Sequence, residues 1–137
     1  MTAAPPNVSA VLAPLVIGIT GHRDLRQQDR KELENKVRDV LRGFLTQYPA
    51  TPIILLSPLA EGADRLAARV ALEIGAALVV PLPMTQHLYE RDFESPESLA
   101  EFHWLLEQAE HRFEIEMLAE EKEVAHAGAY ATKIYLP

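Results

Sequence analysis

Short apolar runs alternate with longer stretches of helical spacing along this chain. Leu15-Val16-Ile17-Gly18-Ile19-Thr20 is mostly apolar, rich in β-branched residues and ends at Gly21. That pattern predicts a strand buried on both faces. Leu33, Val37, Leu41, Phe44 and Tyr48 then recur at helical spacing, and Pro49 and Pro52 close the element. Asp29 with Glu32 three residues on resembles a capping box, with Asp in the place usually held by Ser or Thr. Ile53 to Ser57 predicts a second buried strand. Ala63 to Ile74 predicts a helix with Gly75 as its C′ residue, and Ala77 to Leu82 a third strand. Residues 83–96 read as a long polar and aromatic loop. Leu99, Phe102, Leu106, Ala109, Phe113 and Met117 step by three or four, which predicts one long helix from about Glu97 to Val124. Ala131 to Leu136 is the expected fourth strand.

Strands alternating with helices predict an α/β, Rossmann-like fold: three layers, α/β/α, around a mostly parallel sheet of about four strands. Residues 1–14, with Pro5, Pro6 and Pro14, read as a flexible leader, and 15–137 as a single domain. The 137 residues, 48% apolar and 24% charged, suffice for one hydrophobic core.

Charge narrows the choice of partner. Thirteen Lys and Arg face twenty Asp and Glu, a net charge of −7. A protein that coats nucleic acid or a membrane surface needs a basic face, so neither partner is expected. The excess is local. Eight acidic residues between Glu101 and His126 face only Arg112 and Lys122, and the rest of the chain is nearly neutral. The chain has no cysteine, which excludes disulfides, thiolate nucleophiles and zinc–thiolate sites. Apolar runs fall far short of the ~20 residues of a membrane helix, and the N-terminus lacks the basic start of a signal peptide. A cytoplasmic location is therefore expected.

In an open α/β sheet, ligands sit beyond the carboxyl ends of the strands. Three loops fall there. In the first, Gly21 allows close backbone approach, Arg23 offers a planar fork for phosphate or carboxylate, and His22 can exchange a proton near neutral pH. In the second, Gly62 and the following helix N-terminus suit an anion, and Glu61 suits a sugar hydroxyl or the role of base. Asp64 lies in the first helical turn, where a carboxylate also serves simply as a cap. The third holds Tyr89 and Phe93: Tyr89 is open to stacking on a base, whereas Phe93 is expected to tuck onto the core. Neither a G-x-G-x-x-G fingerprint nor a Walker A loop is present. His103, Glu107 and His111 share a face of the expected last helix. The outer two are ~12 Å apart along the axis, too far for one metal ion. No metal or other cofactor is expected. Nothing marks Ser57 as a nucleophile.

Together these residues resemble a known superfamily. Ile17-Gly18-Ile19-Thr20-Gly21-His22-Arg23 is similar to the opening motif of the SLOG superfamily of Rossmann-like domains. That superfamily includes lonely-guy phosphoribohydrolases, YspA/YpsA-like proteins and DNA-processing protein A. Leu56-Ser57-Pro58-Leu59-Ala60-Glu61-Gly62-Ala63-Asp64-Arg65-Leu66-Ala67 resembles its second motif. Pro81 to Pro83 and Tyr89 to Phe93 resemble the third-strand segment of uncharacterised bacterial members. The resemblance implies a nucleotide or nucleotide derivative bound over the strand ends, with Gly21, Arg23, Gly62 and Asp64 matching the motifs most directly. His22 and Glu61 match only the uncharacterised group.

Phosphoribohydrolases of the superfamily carry a later Gly-Gly-x-Gly-Thr loop and a glutamate beyond it; these 137 residues contain neither, as in a truncated or reduced form. The reading that follows is a nucleotide-binding sensor or ligand-binding module. The alternative is an enzyme cleaving the base–ribose bond of a nucleoside monophosphate, with Glu61 as its catalytic carboxylate. Single-stranded DNA binding ranks third. A homo-oligomer through helix 97–124 is also expected, because Trp104, Leu105, Ile115 and Leu118 fall off its main apolar stripe.

Overall fold

A computed structural model describes residues 13–115. The first strand, β1, spans Leu15–Gly18. A 3-10 turn at Gln27–Asp29 leads into α1, Arg30–Gln47. Then come β2 (Ile53–Leu56), α2 (Ala63–Glu73) and β3 (Ala77–Leu82). Residues 83–96, expected as a long polar and aromatic loop, contain a short helix α3 (Gln86–Tyr89), a 3-10 turn (Glu90–Asp92) and the first residue of the next helix. The chain continues through α4 (Pro96–Gln108) to β4 (His111–Glu114).

The four strands form one parallel sheet in chain order, β1-β2-β3-β4. The fold is α/β and Rossmann-like. Crossovers of one hand between successive neighbours place the connecting helices on the same face, and α2 packs between α1 and α4. Ile53, Leu55, Leu78, Val80 and Leu82 bury their side chains under those helices, against Leu66, Val70, Phe102 and Leu106. The apolar stripe of α1 behaves as its spacing predicts: Leu41 is buried, and Leu33, Val37 and Phe44 pack beside it. Each fully buried Leu or Phe contributes roughly 1.5–3 kcal/mol through lost water contact.

Three expectations need correction. The strands are not buried on both faces by the described residues. Val16, Ile54, Leu56, Val79, Pro81 and Phe113 occupy the other face in paired register and are half-buried or exposed. Of the three layers expected, the described residues make two. Second, the long helix 97–124 ends at Gln108. Ala109 leaves the helical conformation at ψ 138°, and His111–Glu114 pairs with Val79–Leu82 as the fourth strand. The Glu110 N–H donates to the Leu78 carbonyl and the Ile115 N–H to the Leu82 carbonyl. His103, Glu107 and His111 therefore share no helix face, and the acidic stretch is not one helix. The strand expected at Ala131–Leu136 and the position of Leu118 lie outside the described residues. Third, Asp29 makes no capping bond to α1; its carboxylate accepts from Arg26 Nε at 2.6 Å.

The ends of α4 and α2 carry ordinary caps, of which Gly75 was the one expected. Ser95 Oγ caps α4 by accepting the Ser98 N–H at 3.0 Å, with Pro96 at the first helical position. Gly75 takes φ +86° after α2, as a C′ glycine does. Among the described residues, no helix is long and apolar enough to cross a membrane.

Candidate functional site

The carboxyl ends of β1 and β2 are joined by their loops. The loop after β1 lies directly on the N-terminus of α2: the Ala63 N–H donates to the His22 carbonyl at 3.0 Å. Two glycines permit the contact. A Cβ on Gly21 would overlap the Ala63 methyl, and a Cβ on Gly62 would overlap the carbonyl oxygens of His22 and Arg23. Gly62 also has φ +91° with ψ −127°, a conformation that side chains rarely allow. The two motifs singled out in the sequence are thus one structural unit. The expectation of freely available N–H groups at α2 needs adjustment, because the first of them is taken by the neighbouring loop.

The loop from Ser57 to Gly62 is fixed from inside. Ser57 is fully buried; its hydroxyl donates to the Asp64 carbonyl at 2.9 Å and accepts the Leu59 N–H at 3.3 Å. Leu59 holds φ +61° within this turn. Ser57 is therefore an organising residue and not a nucleophile exposed at a strand end.

Asp64 is also buried. Burial raises its carboxyl to about pKa 6, against the opposing pull of the Ala60 N–H, Arg23 and Arg65. Asp92, in the turn after α3, is shifted upward for the same reason, again opposed by Arg23. Arg23 Nη2 lies 3.7 Å from the Asp92 carboxylate, and the Arg23 side chain is 38% exposed. One half-exposed guanidinium therefore stands beside one buried and one part-buried carboxyl, Asp64 and Asp92, whose charge burial disfavours. His22 is exposed next to it.

The other candidates lie elsewhere. Tyr89 is fully buried, edge-on to Phe93 at 5.1 Å and to Phe102 at 5.8 Å between ring centroids. It is a core aromatic, with no exposed ring surface on which a base could stack. Phe93 tucks onto the core as expected, at 8% exposure. Glu61 accepts a hydrogen bond from Ser98 Oγ and lines a cleft among the first turns of α1, α2 and α4. Its carboxylate is thereby committed to α4.

Arg65, absent from the candidates read from sequence, dominates that neighbourhood. It is 2% exposed. Nε donates to the Leu59 carbonyl at 2.9 Å; Nη1 donates to the Ser98 carbonyl and hydroxyl at 2.9 Å and reaches Glu101 at 3.3 Å. The guanidinium lies over the Phe93 ring, 4.4 Å from its centroid. Burial lowers its pKa and Glu101 opposes the shift. Arg69 also pairs with Glu101. The signal was present as the i,i+4 pair Arg65/Arg69 on α2, which meets the single carboxylate of Glu101 on α4. His103 contacts Glu90 at 3.0 Å, and among the described residues no three acidic or histidine side chains cluster as a metal site would need. Compared with known proteins, the chain matches no family model and no curated protein.

Proposed function

We infer that the strand-end crevice binds a nucleotide or nucleotide derivative through its phosphate, and that the domain acts as a sensor or ligand-binding module of SLOG type. The observation carrying this reading is Arg23: half-exposed at the carboxyl edge, beside carboxyls that burial pushes toward the neutral form. An arriving phosphate takes over the guanidinium, which offers a fork matched to its oxygens. Gly21 and Gly62 keep the backbone low around it. Cleavage of the base–ribose bond has less support, since Glu61 is held by Ser98 on another wall.

The reading has a built-in pH signature. A phosphate beside Asp64 disfavours the ionised carboxyl further, so binding takes up a proton and tightens as pH falls toward 6. A mononucleotide's own phosphate titrates near ~6, so cyclic nucleotides and NAD, as phosphodiesters or pyrophosphates, are the cleaner probes. The test is thermal shift with AMP, ADP, cyclic mononucleotides and NAD at pH 5.5 and 7.5, repeated with Arg23→Gln. At least one should raise the melting temperature, more at pH 5.5, and Arg23→Gln should abolish the rise. No stabilisation by any of them, or a rise indifferent to Arg23, rejects the reading.

A further inference from the structure

Arg23 is an accessible cation at the strand-end crevice, and the groups around it decide which anions it can take. No described residue accepts a hydrogen bond from its guanidinium, and none of its nitrogens is buried. Its planar fork is therefore open to a ligand.

The neighbours of that fork are carboxyls. Asp92 stands 3.7 Å away, beyond hydrogen-bond reach, and its Oδ2 is buried without a partner. Two charges act on Asp92: Arg23 favours its ionised form, and Glu61 opposes it. Two act on the buried Asp64, Arg23 and Arg65, and Arg65 is itself enclosed and paired with Glu101. One open guanidinium thus answers both Asp64 and Asp92, with Glu61 close by. A phosphate on Arg23 enters this field. Its attraction to one cation is set against repulsion from the carboxylates that share it, in partly buried surroundings where water screens less. Each further negative charge on the phosphate meets the same single guanidinium but more than one carboxylate.

We propose that Asp92, with Asp64, makes the crevice a charge filter. It takes a phosphate group of single charge, as in a phosphodiester or an internal pyrophosphate, and disfavours a terminal phosphate monoester of double charge. Asp92 is the specificity-determining residue, because it shares Arg23 directly and its buried oxygen has no other partner. The filter rests on the reading of the crevice as a phosphate site and names the class of nucleotide that site takes: cyclic or joined nucleotides, not free mononucleotides.

The experiment measures affinities of the whole chain by titration calorimetry at pH 7.5. The probes are AMP, GMP, CMP and UMP, each paired with the methyl phosphodiester of the same nucleotide. Members of a pair differ by one methyl group and one charge, since the second pKa of a phosphate monoester is ~6. Asp64, with its pKa of about 6, is ionised at that pH as well. At least one diester should bind, about tenfold more tightly than its monoester. Asp92→Asn should tighten the monoester more than the diester and bring the two within about threefold. Asp64→Asn should narrow the gap in the same direction, which keeps the test decisive if one variant fails to fold. Arg23→Gln should abolish binding of both members. The filter is overturned by a monoester that binds as tightly as its diester, by a gap that neither asparagine variant narrows, or by the absence of any diester binding. Arg23-dependent binding of any nucleotide in those cases leaves the nucleotide reading standing. If cyclic nucleotides and NAD also fail to bind, or bind without regard to Arg23, that reading falls and the filter with it.

Discussion

Asp64 and Arg65 follow one another in the first turn of α2, both are buried, and they serve two different regions. Asp64 belongs to the strand-end crevice. There burial is the largest influence on its carboxyl and outweighs the help of Ala60, Arg23 and Arg65. Arg65 belongs to the helix-side cleft, where Leu59, Ser98, Glu101 and the Phe93 ring surround its guanidinium. One charge is tolerated at a cost, and the other is used to tie three segments together. Buried charge thus has opposite meanings one residue apart: in the crevice a carboxyl poised to change state, in the cleft a fixed fastener.

The wall common to both regions is Gly62, and breaking it should have the largest effect. Gly62→Ala puts a Cβ onto two backbone carbonyls and forces a side chain into φ +91°. A backbone cannot swing away as a long side chain can. The expected loss is about 5 kcal/mol, at the far end of the range for single substitutions. Against a total of ~5–15 kcal/mol that unfolds a large fraction of the molecules, as urea denaturation followed by circular dichroism would report. Loss below about 1 kcal/mol would mean the two loops separate readily, and the crevice would not be the rigid unit described.

Next in size is Arg65→Met, which keeps the apolar stem over Phe93 and removes only the charged fork. Leu59 and Ser98 lose their buried donor, and Glu101 keeps Arg69 alone. Removing one partner of a buried charged network costs about 4 kcal/mol. Arg65→Lys should recover less than half, since an ammonium cannot serve Leu59 and Ser98 together from a planar fork. Equal stability of the lysine variant would reduce Arg65 to a point charge and dissolve the contrast with Asp64.

Local signals placed the scaffold well and the long-range partners poorly. Strands β1, β2 and β3 were legible from short apolar runs, and α1 and α2 from period and punctuation: Pro49 after one, Gly75 after the other. The α4–β4 boundary was hidden because Phe113 keeps four-residue spacing from Ala109, and no glycine or proline marks the turn between them. Strand β4, the last of the described sheet, is exposed throughout and reads His-Arg-Phe-Glu, so only its pairing with β3 identifies it. For the site, Gly21 and Gly62 were visible as close-approach positions, but their contact with each other was not. Tyr89 looked available because it sits among polar residues. Its four-residue spacing to Phe93 was the clue to a shared aromatic cluster with Phe102. Arg65 was overlooked because an arginine in an alanine-rich helix ordinarily faces water.

The smallest of the three effects, Asp64→Asn, is the one that separates the two regions by sign. The folded carboxyl titrates at about pKa 6 and the unfolded one at 3.8. Between those values the folded chain holds a proton that the unfolded chain has released, so this group's contribution to stability falls as pH rises from about 4 to 6. Above 6 both states are ionised and the full cost of the buried charge remains, at most about 3 kcal/mol on the usual conversion. Asparagine cannot ionise, and its oxygen still accepts the Ala60 N–H. Asp64→Asn should therefore match the parent near pH 4 and exceed it by up to about 3 kcal/mol at pH 7, in denaturant titrations at each pH. Asp92 shifts in the same direction but is present in both proteins, so it cancels in the difference. A variant less stable than the parent at pH 7 would mean that the ionised Asp64 is a net asset beside Arg23. The crevice would then be a closed ion-pair network like the cleft, and the tightening of phosphodiester binding at low pH would be lost with it, since both rest on the same carboxyl.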